Sequence, residues 1–189
     1  MKRTLHSLAA LVVAATVFAA PAAAQNVNFF FGGGAAFGTQ DLSDDTGTGW
    51  IGFAGAGVPI SSVPGAVIGL TGFYAHIPYN PGDDATNIPG LFADLGYVFG
   101  ATTPSKIKPY IRFGAGVMQH RYSAGGGYSD DESETKAGGA IGAGINYVMP
   151  SVTPFIGVHF VTGGSDTSFL AAYLGFAFGG GGSASKSQR

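Results

Sequence analysis

Cysteine is absent from all 189 residues, which excludes disulfides, thiolate metal sites and cysteine nucleophiles at once. Charge is scarce too: Asp, Glu, Lys and Arg together make up 11% of the chain, about half the share expected of a soluble domain. No basic cluster is present that would bind nucleic acid. Beyond Gln25, glycine or proline interrupts every apolar run before it reaches the length of a membrane-crossing helix. The glycine runs at 32–34 and 125–127 lack a following lysine and helix, so they give no support to a phosphate-cradling loop.

Glycine, by contrast, is abundant at 33 residues, aromatics reach 13%, and mean hydropathy is positive. A disordered chain needs high charge and low hydrophobicity, and this chain has neither. Something apolar besides its own core is expected to face it. The N-terminus reads as a secretory signal peptide over residues 1–24. Lys2 and Arg3 come first, then an apolar stretch over 8–20, then Ala22, Ala23 and Ala24 before Gln25. That apolar stretch is well short of the roughly 20 residues that span a bilayer as a helix. Cleavage after Ala24 leaves seven basic residues against eleven acids, a net charge near −4.

The remaining chain alternates with period two, the mark of a strand with two unlike faces. In the segment from Lys108 to Met118, apolar Ile111, Phe113, Ala115 and Val117 alternate with Arg112, Gly114, Gly116 and Met118. The same pattern predicts eight strands, at 27–38, 48–58, 66–76, 90–99, 108–122, 135–148, 154–162 and 167–178. The facing of the second, which holds Trp50, Ile51 and Phe53 among small residues, is ambiguous. A loop is expected over 77–89, where prolines and acids gather. Residues 179–189, glycine and serine with two basic side chains, read as a flexible tail.

Connections after the odd-numbered strands hold ten of the eleven acids: Asp41, Asp44, Asp45, Asp83, Asp84, Asp130, Asp131, Glu132, Glu134 and Asp166. Those after the even-numbered strands hold none. An up-and-down meander places these two sets at opposite ends, with Lys106 and Lys108 at the acid-free end. A soluble β-sandwich would want charge on its outer faces, and the exposed-looking faces of the first, fourth and sixth strands carry none. In a bilayer, a sheet must close on itself so that no backbone group is left unpaired. The expected fold is therefore all-β, an eight-stranded antiparallel up-and-down transmembrane β-barrel over residues 25–178.

With the strands placed, the chain resembles the small eight-stranded outer-membrane barrels, namely the OmpA-like transmembrane domain and the opacity-type and Ail-like surface barrels. The resemblance rests on KPYIRFGAGV at 108–117, TPFIGVHFV at 153–161 and AAYLGFAF at 171–178, and covers about 26–178. It implies a Gram-negative outer-membrane location among lipid and lipopolysaccharide, and delivery by the barrel assembly machinery. It further implies a monomer and a structural or surface-interaction role, with a host or surface partner met through the acidic loops. The terminal aromatics Tyr173, Phe176 and Phe178 would serve as the assembly signal, although eleven residues follow Phe178. A peptidoglycan-gripping second domain of the longer OmpA-like proteins is absent from this sequence.

Asp94 and Arg112 fall on adjacent strands on the face opposite the apolar one. If that face lines the lumen they can pair, joined by Lys136, Asn146, His159 and Tyr173 in a structural polar network, since buried charges need partners. Trp50, Tyr74, Tyr97, Tyr110, Tyr122 and Tyr147 lie near strand ends and suit interfacial girdles. No metal site is expected, because His76, His120 and His159 lack ligand spacing and the acidic run at 129–134 lacks the pattern of a calcium loop. No cofactor is expected. No catalytic residue is assigned: Ser165 and Ser168 are near His159 in sequence, but the His-x-Ser-Asn pattern of outer-membrane lipid A deacylases is missing. A lipid-modifying enzyme and a narrow pore are the alternatives.

Overall fold

Strands of alternating facing can satisfy every backbone group only by pairing on both edges, and here they do so around a closed ring. The structure is a computed structural model and describes residues 27–42, 46–79, 84–123, 133–164 and 167–179. Its strands are β1 (Asn28–Gly38), β2 (Thr48–Pro59), β3 (Ala66–Pro78), β4 (Ala85–Val98), β5 (Ile107–Ser123), β6 (Ser133–Tyr147), β7 (Thr153–Thr162) and β8 (Phe169–Phe178). Each pairs antiparallel with the next, and β8 returns to pair antiparallel with β1, which closes an up-and-down barrel. The expected signal peptide, residues 180–189 of the tail, and the acids Asp44, Asp45, Asp83, Asp130, Asp131, Glu132 and Asp166 lie outside the described residues.

The apolar faces point outward, as a bilayer requires. Phe29, Phe31, Ile68, Leu95, Phe113, Ile141, Ile156 and Leu174 are all exposed. The ambiguous strand β2 resolves with Trp50 outward and Ile51 and Phe53 inward. Trp50, Tyr74, Tyr97 and Tyr147 are exposed on the outside. Tyr110 and Tyr122 instead belong to the inward-facing set of β5, so the girdle reading is corrected for these two.

Strands β3 and β4 are longer than the sequence pattern predicts, running to Pro78 and starting at Ala85. Pro89 had marked the end of a loop. In the structure it faces outward inside β4 and pairs with Tyr74 of β3. Because it has no N–H, the β4–β5 ladder skips it and passes from Asn87↔Arg121 to Gly90↔Met118. The proline thus interrupts one edge of the strand without ending it.

Short turns close the acid-free end. Gly65, at φ 93°, takes the left-handed conformation at the β2–β3 turn, and its carbonyl accepts from Val98 N at 2.8 Å. At the other end the 3-10 turn Gln40–Leu42 folds inward. Leu42 is buried there, and Thr39 N donates to Ser168 O at 2.9 Å.

Candidate functional site: the lumen

An eight-stranded barrel has room only for side chains, and the inward face of each strand decides what fills it. The fill comes in two levels. Toward the acidic-loop end Leu42, Ile77, Ile88, Phe92, Met118 and Phe169 form an apolar plug, each no more than 3% exposed. Below it lies the polar level built on Asp94 and Arg112.

The Arg112 guanidinium reaches the Asp94 carboxylate at 2.6 Å. Thr71, from β3, donates to the same Asp94 oxygen at 2.6 Å and accepts from Arg112, which closes a three-residue ring. The guanidinium also lies 4.8 Å from the centre of the Phe30 ring, a cation–π contact from β1. One charge pair is therefore held by four strands. Beside it the Tyr110 and Tyr173 hydroxyls meet at 3.0 Å, and the His159 ring centre lies 4.9 Å from that of Tyr173.

Glycines create this space. A Cβ on Gly142 would come within 1.5 Å of His159 Cδ2, and one on Gly157 within 2.5 Å of the Tyr110 hydroxyl. Inward glycines on β6 and β7 thus let large side chains from β5, β7 and β8 reach across. Two voids flank the ion pair. The upper, about 30 Å³, is lined by Asp94, Arg112, Thr71, His159 and Tyr173. The lower, about 150 Å³, is bounded by Arg112, Asn146, Phe30, Phe155 and Tyr97.

Of the residues read from the sequence, the structure brings Asp94, Arg112, His159 and Tyr173 together and sets Asn146 on the lower void. Lys136 stands apart. It lies opposite Met118 near the top of β6, where its Nζ is 3.2 Å from Glu134. Met118 and Phe92 occupy the interior between Lys136 and the ion pair. Tyr173 faces inward, whereas Phe176 and Phe178 face the lipid.

Thr71, Tyr110 and Phe30 were missed, although Tyr110 shares the parity of Arg112 and could have been placed from KPYIRF alone. Lys108 was missed as well. Its buried ammonium donates to Gly100 O at 2.7 Å, Ala101 O at 3.0 Å and Thr103 O at 3.1 Å, pinning the β4–β5 turn from inside. At the opposite end, above the apolar band, Tyr122 donates to Asp84 at 2.6 Å, and this bond raises the phenol pKa above its ordinary value.

The three histidines do not converge: His76 sits outside against Trp50, His120 lies near Thr86 at 3.4 Å, and His159 is in the polar level. Thr86, whose hydroxyl lies 3.4 Å from His120, is fully buried level with Ile77 of the plug and donates to Tyr79 at 3.0 Å. Ser168 is likewise buried, donating to Thr162 at 2.8 Å and Gly164 O at 2.6 Å. Both hydroxyls are bonded inside the protein, and Ser165 lies outside the described residues.

A closed eight-stranded barrel with a lipid-compatible exterior and a filled, ion-paired lumen defines a small transmembrane β-barrel protein. Residues 10–164 match the model of the outer membrane protein beta-barrel domain, and the chain belongs to that family. Its fold is similar to that of Neisserial surface protein A, with a TM-score of 0.64 and 18% identity over 81% of this chain and 96% of the other. It is also similar to the N-terminal β-barrel domain of Pseudomonas aeruginosa OprF, with a TM-score of 0.50 and 18% identity over 82% and 96% of the two chains. Among curated proteins no sequence match is found. The family places the protein in the Gram-negative outer membrane.

Proposed function

We propose that this chain is a small, monomeric, non-enzymatic outer-membrane barrel, exported by its signal peptide and inserted by the barrel assembly machinery. Its specific work is a surface interaction carried by the acidic loops that follow β1, β3, β5 and β7. The observation that carries this reading is the apolar plug of Leu42, Ile77, Ile88, Phe92, Met118 and Phe169 across the loop end of the lumen. A sealed interior disfavours a through-pore. Buried, internally bonded hydroxyls disfavour a lipid-modifying nucleophile. What remains for specificity is the exposed end, with its concentration of carboxylates.

Two measurements test the reading. The chain has no cysteine, so Ser129→Cys and Ser61→Cys each introduce a single thiol. On intact cells an impermeant maleimide should label the first and spare the second; the reverse pattern would invert the orientation. Purified protein in planar bilayers should add no steady conductance, and stable single-channel steps would restore the pore.

A further inference from the structure

A row of outward-facing polar and aromatic side chains runs around the barrel just above the apolar band. The register aligns Trp50 with His76, His76 with Asn87, Asn87 with Arg121 and Arg121 with Ser133, a line across β2 to β6. Directly below, on the same face of β5, stand Val117, Ala115, Phe113 and Ile111, so the row lies at the edge of the lipid-facing surface. Trp50 and Tyr74, with ring centres 5.5 Å apart, mark the same level as an aromatic girdle.

The hydrogen bonds in this row occupy the oxygens of its two amides and leave their N–H groups as donors. Asn87 Oδ1 accepts from the Tyr74 hydroxyl at 2.9 Å and from His76 Nδ1 at 2.9 Å. Gln119 Oε1 accepts from Arg121 Nε at 2.7 Å and from a second nitrogen of the same guanidinium. With both carbonyl oxygens engaged, the amide nitrogens of Asn87 and Gln119 and the remaining guanidinium N–H groups are left as donors. They border an open hollow of about 350 Å³, with Tyr74 and Ser133 among its walls. Of the nearby carboxylates among the described residues, Asp84 accepts from Tyr122 and Glu134 pairs with Lys136. Among the described residues Arg121 has no carboxylate partner.

We propose that this hollow is a binding site for the phosphate of an outer-leaflet glycolipid, held by Arg121, Asn87 and Gln119 with the sugar against Trp50 and Tyr74. A guanidinium flanked by two amide donors is complementary to a phosphate oxygen set. Its height, immediately above the apolar band, is where a lipid headgroup meets the barrel. The acyl chains of the same molecule would then lie along Leu91, Phe113 and Val117, which are exposed beneath it. The proposal rests on the outward orientation of the loop end given above. The assay uses purified protein, so failure to bind overturns the site while leaving the labelling result standing.

Trp50 is the single tryptophan of the chain and reports on this row directly. Full-length protein in neutral detergent is titrated with phosphorylated lipid A, with its dephosphorylated counterpart and with inorganic phosphate, following Trp50 emission. Phosphorylated lipid A should saturate the signal, and Arg121→Gln should weaken it roughly tenfold or more, the loss of a charge-assisted hydrogen-bond pair. Asn87→Asp, which adds a carboxylate to the hollow, should weaken it in the same direction. Lys106→Gln, at the far end, should bind as the parent does. Each variant is scored only with an unchanged heat-dependent gel shift. Parent-like binding by both Arg121→Gln and Asn87→Asp would overturn the proposal. So would equal binding of dephosphorylated lipid A, or saturation by inorganic phosphate as strong as by the lipid.

Discussion

Asp94 and Arg112 bind each other diagonally. In the β4–β5 ladder Asp94 lies opposite Gly114 and Arg112 opposite Gly96, yet their side chains meet at 2.6 Å across that offset. The two glycines leave room for the diagonal, and Thr71 and Phe30 close it from β3 and β1.

Removing one partner strands a charge in the lumen. Arg112→Ala should lose about 3–5 kcal/mol of stability, the range for breaking a buried pair, and the double variant Arg112→Met with Asp94→Leu should lose less than either single change. Urea unfolding in lipid vesicles, together with heat-shifted gel mobility, measures both. A single variant with parental urea resistance would show that the pair does not stabilise the barrel.

His159 fits only because Gly142 has no side chain. Gly142→Ala should therefore cost about 1–3 kcal/mol through overpacking, since the new methyl overlaps the imidazole. Combining it with His159→Ala should recover most of that loss. If the double variant is no better than Gly142→Ala alone, the clash is not with His159.

Lys108 pins the β4–β5 turn through three carbonyls. Lys108→Met keeps the stem and removes the charged donor from three turn carbonyls, at a cost of about 1.5–3 kcal/mol. Amide exchange should accelerate over residues 99–106 and stay unchanged in the acidic-loop half of the barrel. Uniform acceleration would point to global rather than local loosening.

On the outer wall Leu174 occupies the middle of β8, exposed and opposite Gly33 and Ile156. Leu174→Arg should cost about 2–4 kcal/mol in a lipid bilayer, the midplane price of a cation on a barrel exterior. The inward neighbour Ala171→Ser should cost much less. Equal effects would mean the facing of β8 has been misassigned.

The order of the strands and most of their facing were legible from the chain. Period two fixes which side chains share a face, so Phe29 with Phe31, and Arg112 with Gly114, could be sorted before any contact was known. The even strand count and the uneven distribution of acids along the connections then dictated an up-and-down barrel with two unlike ends. Even the partnership of Asp94 with Arg112 was available, because adjacent strands and common parity place both on one wall.

Other features depended on distances between strands, which periodicity does not encode. Small residues made the facing of β2 ambiguous in sequence, and only contact with Tyr173 and Phe155 shows Phe53 to be inside. Lys136 has the right parity for the polar network and the wrong height, a fact set by the register of β6 against β5. Pro89 ends a strand by local rules, yet the β3 ladder carries β4 through it. Lys108 reads as a surface charge until the turn folds over it, and the line from Trp50 to Arg121 exists only because three separate registers bring it level. A strand's own residues determine its two faces, whereas the height of each residue in the barrel is set by neighbours far away in the chain.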